Sequence, residues 1–130
     1  MNLSAEQIQS QWDKFIDYIN EYISPDRAEK LISFYEKHKE EVMLMPASHK
    51  KAYHNCFPGG YIDHVNRVVE CALKLTSVWS DMGINKDTFT LEEVVFSAIN
   101  HDLGKMGDGK EYAHIPSTDQ WRKKNLGEMY

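Results

Sequence analysis

With 130 residues and a formal net charge of −5, and with 42% of its residues hydrophobic and 12% aromatic, the chain suits one globular domain around one core and is too apolar for a disordered segment. The acidic balance argues against general electrostatic capture of nucleic acid while leaving room for a local basic groove. No apolar run approaches the roughly 20 residues of a membrane-spanning helix, the N-terminus lacks the basic start and apolar stretch of a secretory signal, and Cys56 and Cys71 are too few for a disulfide framework or a cysteine-rich zinc site; a soluble cytoplasmic protein is the expectation.

Helical periodicity runs through nearly the whole chain, and no segment has the strict alternation of a strand. Ser4 and Gln7 are spaced as a capping box ahead of Ile8, Trp12, Phe15, Ile16 and Ile19, an amphipathic stripe. Ser24-Pro25 reads as N-cap and first-turn proline of a second helix, with Ala28, Leu31, Ile32 and Tyr35 on one side. Pro46 closes the segment holding Met43 and Met45, both read as core filler, and Pro58-Gly59-Gly60 makes a turn. A third helix is predicted from about Tyr61 to Met82, with Val65, Val68, Val69, Ala72, Leu75 and Trp79 as its apolar face and Gly83 as its terminator. Thr90 and Glu93 form a second capping box, opening a helix from Leu91 to about Asp102, after which Gly104, Gly107 and Gly109 force a loop. Ser117 with Gln120 starts a last short helix that carries Trp121 and runs out at Tyr130 without a capping residue. The expected architecture is all-α: a compact helical bundle over residues 1–130, with N-terminal helices up to 45 and a functional portion from 46 to 130.

Two polar residues stand where the apolar pattern of the Thr90 helix predicts burial. Leu91, Val95, Ala98, Ile99 and Asp102 follow one stripe, and Val94, Ser97, Ala98 and His101 follow the adjacent one. On the preceding helix His64 heads the inward row His64, Val68, Cys71 and Leu75. An isolated inward histidine is ordinarily a hydrogen-bonded core residue, and neighbours on a helix point about 100° apart. Asp102 is the odder residue, because a carboxylate at a helix C-terminus opposes the macrodipole. A divalent metal would satisfy all three, with Gly104 providing the helix end at which adjacent side chains converge.

The run Tyr53-His54-Asn55-Cys56-Phe57-Pro58-Gly59-Gly60-Tyr61-Ile62-Asp63-His64, followed by His101-Asp102-Leu103-Gly104-Lys105, resembles the HD-domain metal-dependent phosphohydrolases. The resemblance covers roughly Met45 to Lys105 and rests on the Gly-Gly-x-x-x-His run, the helix between, and the His-Asp-x-Gly-Lys run. It implies an all-helical fold of the HD-domain type that binds divalent metal and hydrolyses phosphomonoesters, phosphodiesters or nucleotides. By position it makes His64, His101 and Asp102 metal ligands and puts Lys105 close to the substrate phosphate. His54 becomes a pocket-lining residue and His114 a source of a second metal or phosphate contact, each with a surface or structural role as its alternative. The family pattern closes with a further aspartate; here only Asp108 and Asp119 follow, and Asp119 stands too close to Asp102 for the usual spacing. That departure fits a truncated form or a minimal version of the domain.

For such a site the ion acidifies water and polarises a phosphoryl oxygen, Asp63 or Asp102 orients that water, and Lys105 offsets the growing charge. Imidazole with carboxylate suits Mn, Fe, Ni, Co, Zn or Mg without choosing among them. The expected ligand is a small phosphorylated substrate, a nucleotide foremost, with no membrane partner and no nucleic acid; the alternatives are a non-catalytic metal- or nucleotide-binding module and, further off, a single-strand nuclease. Lys50-Lys51 and Arg122-Lys123-Lys124 read as solvated surface charge, Cys71 as buried and inert, and Cys56 as a loop thiol with no base to activate it.

Overall fold

In the computed structural model, which describes residues 3–84, 87–107 and 113–130, the first helix starts where its capping box predicts. The Ser4 hydroxyl accepts from the Gln7 amide at 3.2 Å and the Gln7 side chain accepts from the Ser4 amide at 2.8 Å, opening α1 (Ala5–Tyr22), which buries Ile8, Trp12, Phe15 and Ile19. Helix α2 (Pro25–Lys37) follows with Ser24 at its N-cap, but the Ser24 hydroxyl makes no capping bond. It donates instead to Glu92 at 3.0 Å, and Arg27 reaches the same carboxylate oxygen at 2.7 Å. The second helix breaks at His38, and a separate α3 (Lys39–Leu44) carries the chain to Met45 and Pro46.

Helix α4 (Gly60–Asp81) is the spine, packed chiefly on α5 (Leu91–Asn100) and on α1. Its N-terminal half is buried: Val65 and Val69, expected on the apolar face, and also Tyr61 and Ile62, join Trp12, Phe15, Ile19, Tyr35, Val42, Val95 and Ile99 in one core. The C-terminal half departs from expectation. Leu75 and Trp79 are each 47% exposed, and Cys71 is exposed rather than buried. The reason is length: 22 residues of α4 run about 33 Å, whereas 10 residues of α5 cover about 15 Å, so the last turns of α4 outrun their partner.

The Thr90–Glu93 capping box forms. Helix α5 then stops at Asn100, two residues earlier than the periodicity indicates, and His101-Asp102 form the turn into a 3₁₀ segment, Leu103–Met106. Gly107 turns the chain with φ of 78°; Asp108 and Gly109 lie outside the described residues. The last helix, α6 (Gln120–Leu126), is capped by Asp119, which accepts from the Arg122 amide at 3.0 Å, while Ser117 stands outside it. Nor does α6 run out uncapped, since Gly127 ends it in the left-handed conformation. The chain then returns to the segment after Pro46: the Lys51 amide donates to Gly127 O at 2.7 Å and the Met129 amide to His49 O at 2.8 Å. Among the described residues this isolated Lys50–Glu128 bridge is the one β-type pairing, and no helix is long and apolar enough to cross a membrane.

Two tyrosines at the base of the core set an alkaline limit. Tyr35 donates to Asn100 Oδ1 at 3.0 Å and packs edge-on to Phe15 at 4.7 Å. Burial pushes its phenol up to about 12 and pushes that of Tyr61 higher still, with Tyr35 adding to the effect. Unfolded tyrosine titrates near 10, so this contribution to stability is intact below about pH 10 and is lost as pH climbs toward 12. Far-ultraviolet circular dichroism and phenolate absorbance should therefore change together in that window. Smooth phenolate titration with helicity retained would contradict the burial of this pair.

Candidate metal centre

The site is built at the N-terminus of α4, where three segments meet. Gly59 has φ of 81° and an added Cβ there would lie 2.8 Å from Ile8 Cγ1. At Gly60 it would lie 2.0 Å from the Asn55 carbonyl oxygen. Only glycine lets the pocket loop approach the helix this closely. Asn55, itself at φ of 49°, holds the junction: its side-chain amide donates to Gly60 O at 3.0 Å and to Asp63 Oδ2 at 2.8 Å. The Tyr61 amide donates to Met45 O at 3.1 Å. This packing fixes the first turns of α4 and therefore the direction of His64.

From the other side, α5 delivers His101 at its C-cap and Asp102 just beyond. His64 Nε2 and His101 Nε2 are 3.1 Å apart, and Asp102 Oδ2 lies 3.2 Å from the first and 3.4 Å from the second. These residues were expected to converge, and they do. The spacing fits a shared ion, since metal–ligand bonds of ~2.1 Å place neighbouring donors about 3.0–3.4 Å apart. The protonation pattern fits too. His101 Nδ1 is 2.7 Å from Ala98 O; a carbonyl only accepts, so Nδ1 carries a proton and Nε2 is the nitrogen turned toward the shared position.

Burial pushes the His64 imidazole below its ordinary value, with His54, His101 and Lys105 adding and Asp102 opposing, which keeps it neutral near pH 7 as a ligand must be. For Asp102, burial works against ionisation, but the Lys105 hydrogen bond and charge, with His101 and His64, outweigh it and hold the carboxyl below the usual range. The donor set is thus two imidazoles and one carboxylate, a suitable set for a divalent ion.

The remaining expected residues divide. Lys105 donates to Asp102 Oδ2 at 2.5 Å, so its ammonium sits on the carboxylate rather than standing clear of it. The His54 ring is 4.6 Å from that of His64, at the edge of the donor triangle. His114 stacks on His49 with centroids 6.1 Å apart. Burial lowers its pKa, with His49 and Lys105 adding, and its Nε2 is buried without a hydrogen-bond partner among the described residues. Asp119 is spent on capping α6.

Asp63 does not meet the expectation of a water-orienting group. It is buried and accepts from Asn55 at 2.8 Å, Arg67 at 3.1 Å and Gln11 at 3.3 Å, because the residue before His64 on α4 faces α1 and the pocket loop. Its role is to fasten that loop. Asp63→Ala should cost roughly 2–4 kcal/mol in a urea titration, the cost of stripping a buried hydrogen-bonded carboxylate from its partners, and should leave metal content unchanged. Loss of metal from a folded Asp63→Ala protein would return Asp63 to the site.

Sequence reasoning missed Asn55, Asn100 and His49. Asn55 carried a signal, since asparagine tolerates the left-handed conformation and here precedes a Pro-Gly-Gly turn. Asn100 donates to Phe96 O at 2.8 Å and accepts from Tyr35, anchoring α5 one residue before His101; nothing local announces that tertiary partner. Comparison with known proteins finds no family model, no curated protein and no solved structure that matches this chain.

Proposed function

We propose that the chain is a divalent-metal-dependent phosphohydrolase of the HD type, acting on a nucleotide or another small phosphate ester. The observation that carries this reading is the triangle of His64 Nε2, His101 Nε2 and Asp102 Oδ2, with sides of 3.1 to 3.4 Å. His64, His101 and Asp102 would hold the ion, which when bound supplies Lewis acidity and lowers the pKa of water. The protein's own part is orientation and charge. Ala98 O fixes the His101 ring, the Asn55–Gly60 junction aims His64, and Lys105 brings a cation to the same edge, where it offsets charge on a phosphoryl oxygen. His54, beside His64, lines the approach.

The test is turnover of generic phosphate esters and a nucleotide panel with Mn, Ni, Co, Zn, Fe or Mg added in turn. Metal-dependent hydrolysis that falls by roughly 100-fold or more in Lys105→Gln, with metal still bound, is the expected result. One observation favours a second reading, a non-catalytic metal- or nucleotide-binding module. Asp119 caps α6, and among the described residues no further carboxylate joins the three donors. Metal binding without turnover of any panel member would establish that reading over the enzyme.

A further inference from the structure

The pocket loop has a second face. Lys51, Tyr53 and Phe57 on one wall, with Gln120, Lys123 and Lys124 of α6 on the other, line a groove of about 640 Å³. Among the described residues no carboxylate lines it, in a protein whose formal net charge is −5. The nearby acid, Glu128, is engaged elsewhere, 3.5 Å from Lys50 and 3.5 Å from Arg122. Lys51, Lys123 and Lys124 have no ion pair among the described residues. Three ammonium groups around one concavity repel each other, and a polyanion relieves that repulsion. The groove is also held in place: Lys51 is tied through its amide to Gly127 at 2.7 Å, which joins the two walls by backbone. Aromatic surface accompanies the charge. Tyr53, on the wall, is 52% exposed, and Phe57 lines the same wall. Cationic side chains interleaved with open rings are the combination that holds phosphates while stacking a base.

We infer that this groove is a second anion site, separate from the His64–His101–Asp102 triangle, that takes the linked phosphates of a nucleotide-class ligand and stacks its base on Tyr53. The source is either a nucleoside polyphosphate or a short single strand; both present linked phosphates with a base. None of the lysines belongs to the metal triangle, so the site operates whether or not the metal reading holds.

Calorimetric titration with inorganic tripolyphosphate, ATP and a short thymidine oligonucleotide, each with and without a chelator, tests this. ATP or the oligonucleotide should bind in chelator, with log K falling against log salt at a slope of about −2, as for three phosphate contacts on a single strand. The triple variant Lys51→Gln, Lys123→Gln, Lys124→Gln should bind at least about tenfold more weakly with unchanged circular dichroism and metal content, and Tyr53→Ala should weaken ATP but not tripolyphosphate. Tighter ATP binding identifies a nucleoside polyphosphate as occupant, and tighter oligonucleotide binding a strand. Tripolyphosphate matching ATP overturns the nucleotide assignment. Absence of binding, binding abolished by chelator, or full affinity in the folded triple variant overturns the site.

Discussion

Replacing Gly60 by alanine is expected to destabilise the fold by on the order of 3–5 kcal/mol, a large fraction of the roughly 5–15 kcal/mol of an ordinary domain. The added methyl group would lie 2.0 Å from the Asn55 carbonyl oxygen and 2.9 Å from its carbon. These are backbone atoms, so no rotamer change relieves the clash. Either the pocket loop lifts, breaking the Asn55 bonds to Gly60 and Asp63, or α4 shifts and drags Tyr61 and Ile62 out of the core. Gly104→Ala is the control: among the described residues nothing lies within 4 Å of a Cβ there, and the cost should stay within about 0.5 kcal/mol, as at an ordinary surface position. Urea titrations of both variants decide it. Equal midpoints for the two would mean that the loop does not pack on α4 as described.

His101→Ala is expected to weaken divalent-ion binding by roughly 100-fold or more, since it removes a ligand outright where loss of a mere orienting partner costs 10–100-fold. The same change should abolish thermal stabilisation by the ion, which for a wild-type chain at about 100 times its Kd amounts to roughly 2.7 kcal/mol. His54→Ala provides the contrast. His54 stands near His64 but outside the donor triangle, so that variant should retain full metal content. A His54→Ala protein that loses its ion as readily as His101→Ala would place the ligand set elsewhere.

Most of the helical pattern was legible because capping and periodicity are local. Ser4–Gln7 and Thr90–Glu93 announce their helices within four residues, and the stripe of Ile8, Trp12, Phe15 and Ile19 needs no tertiary knowledge. The convergence of His64, His101 and Asp102 was legible too, because each polar residue interrupted an apolar face. What escaped depends on partners distant in sequence. The exposure of Cys71, Leu75 and Trp79 follows from α4 outrunning α5, a length mismatch that periodicity within one helix does not register. Asp63 read as a chemical group until Asn55, Arg67 and Gln11 were seen around it. Ser24 has the sequence of a cap and the contacts of a tie to Glu92. The groove beside α6 was invisible for the same reason, since Lys51 and Lys123 read as two unrelated solvated charges until Gly127 brings their segments together.

The central claim, that His64, His101 and Asp102 hold one divalent ion, is tested most directly by equilibrium dialysis of the wild-type chain against Mn, Ni, Co, Zn, Fe or Mg, followed by elemental analysis. The account predicts about one ion per chain for at least one of these metals, since three donors at this spacing suit a single centre, and loss of that ion in His101→Ala. A wild-type chain that emerges metal-free from all six, or a His101→Ala chain that keeps its full complement, would contradict it.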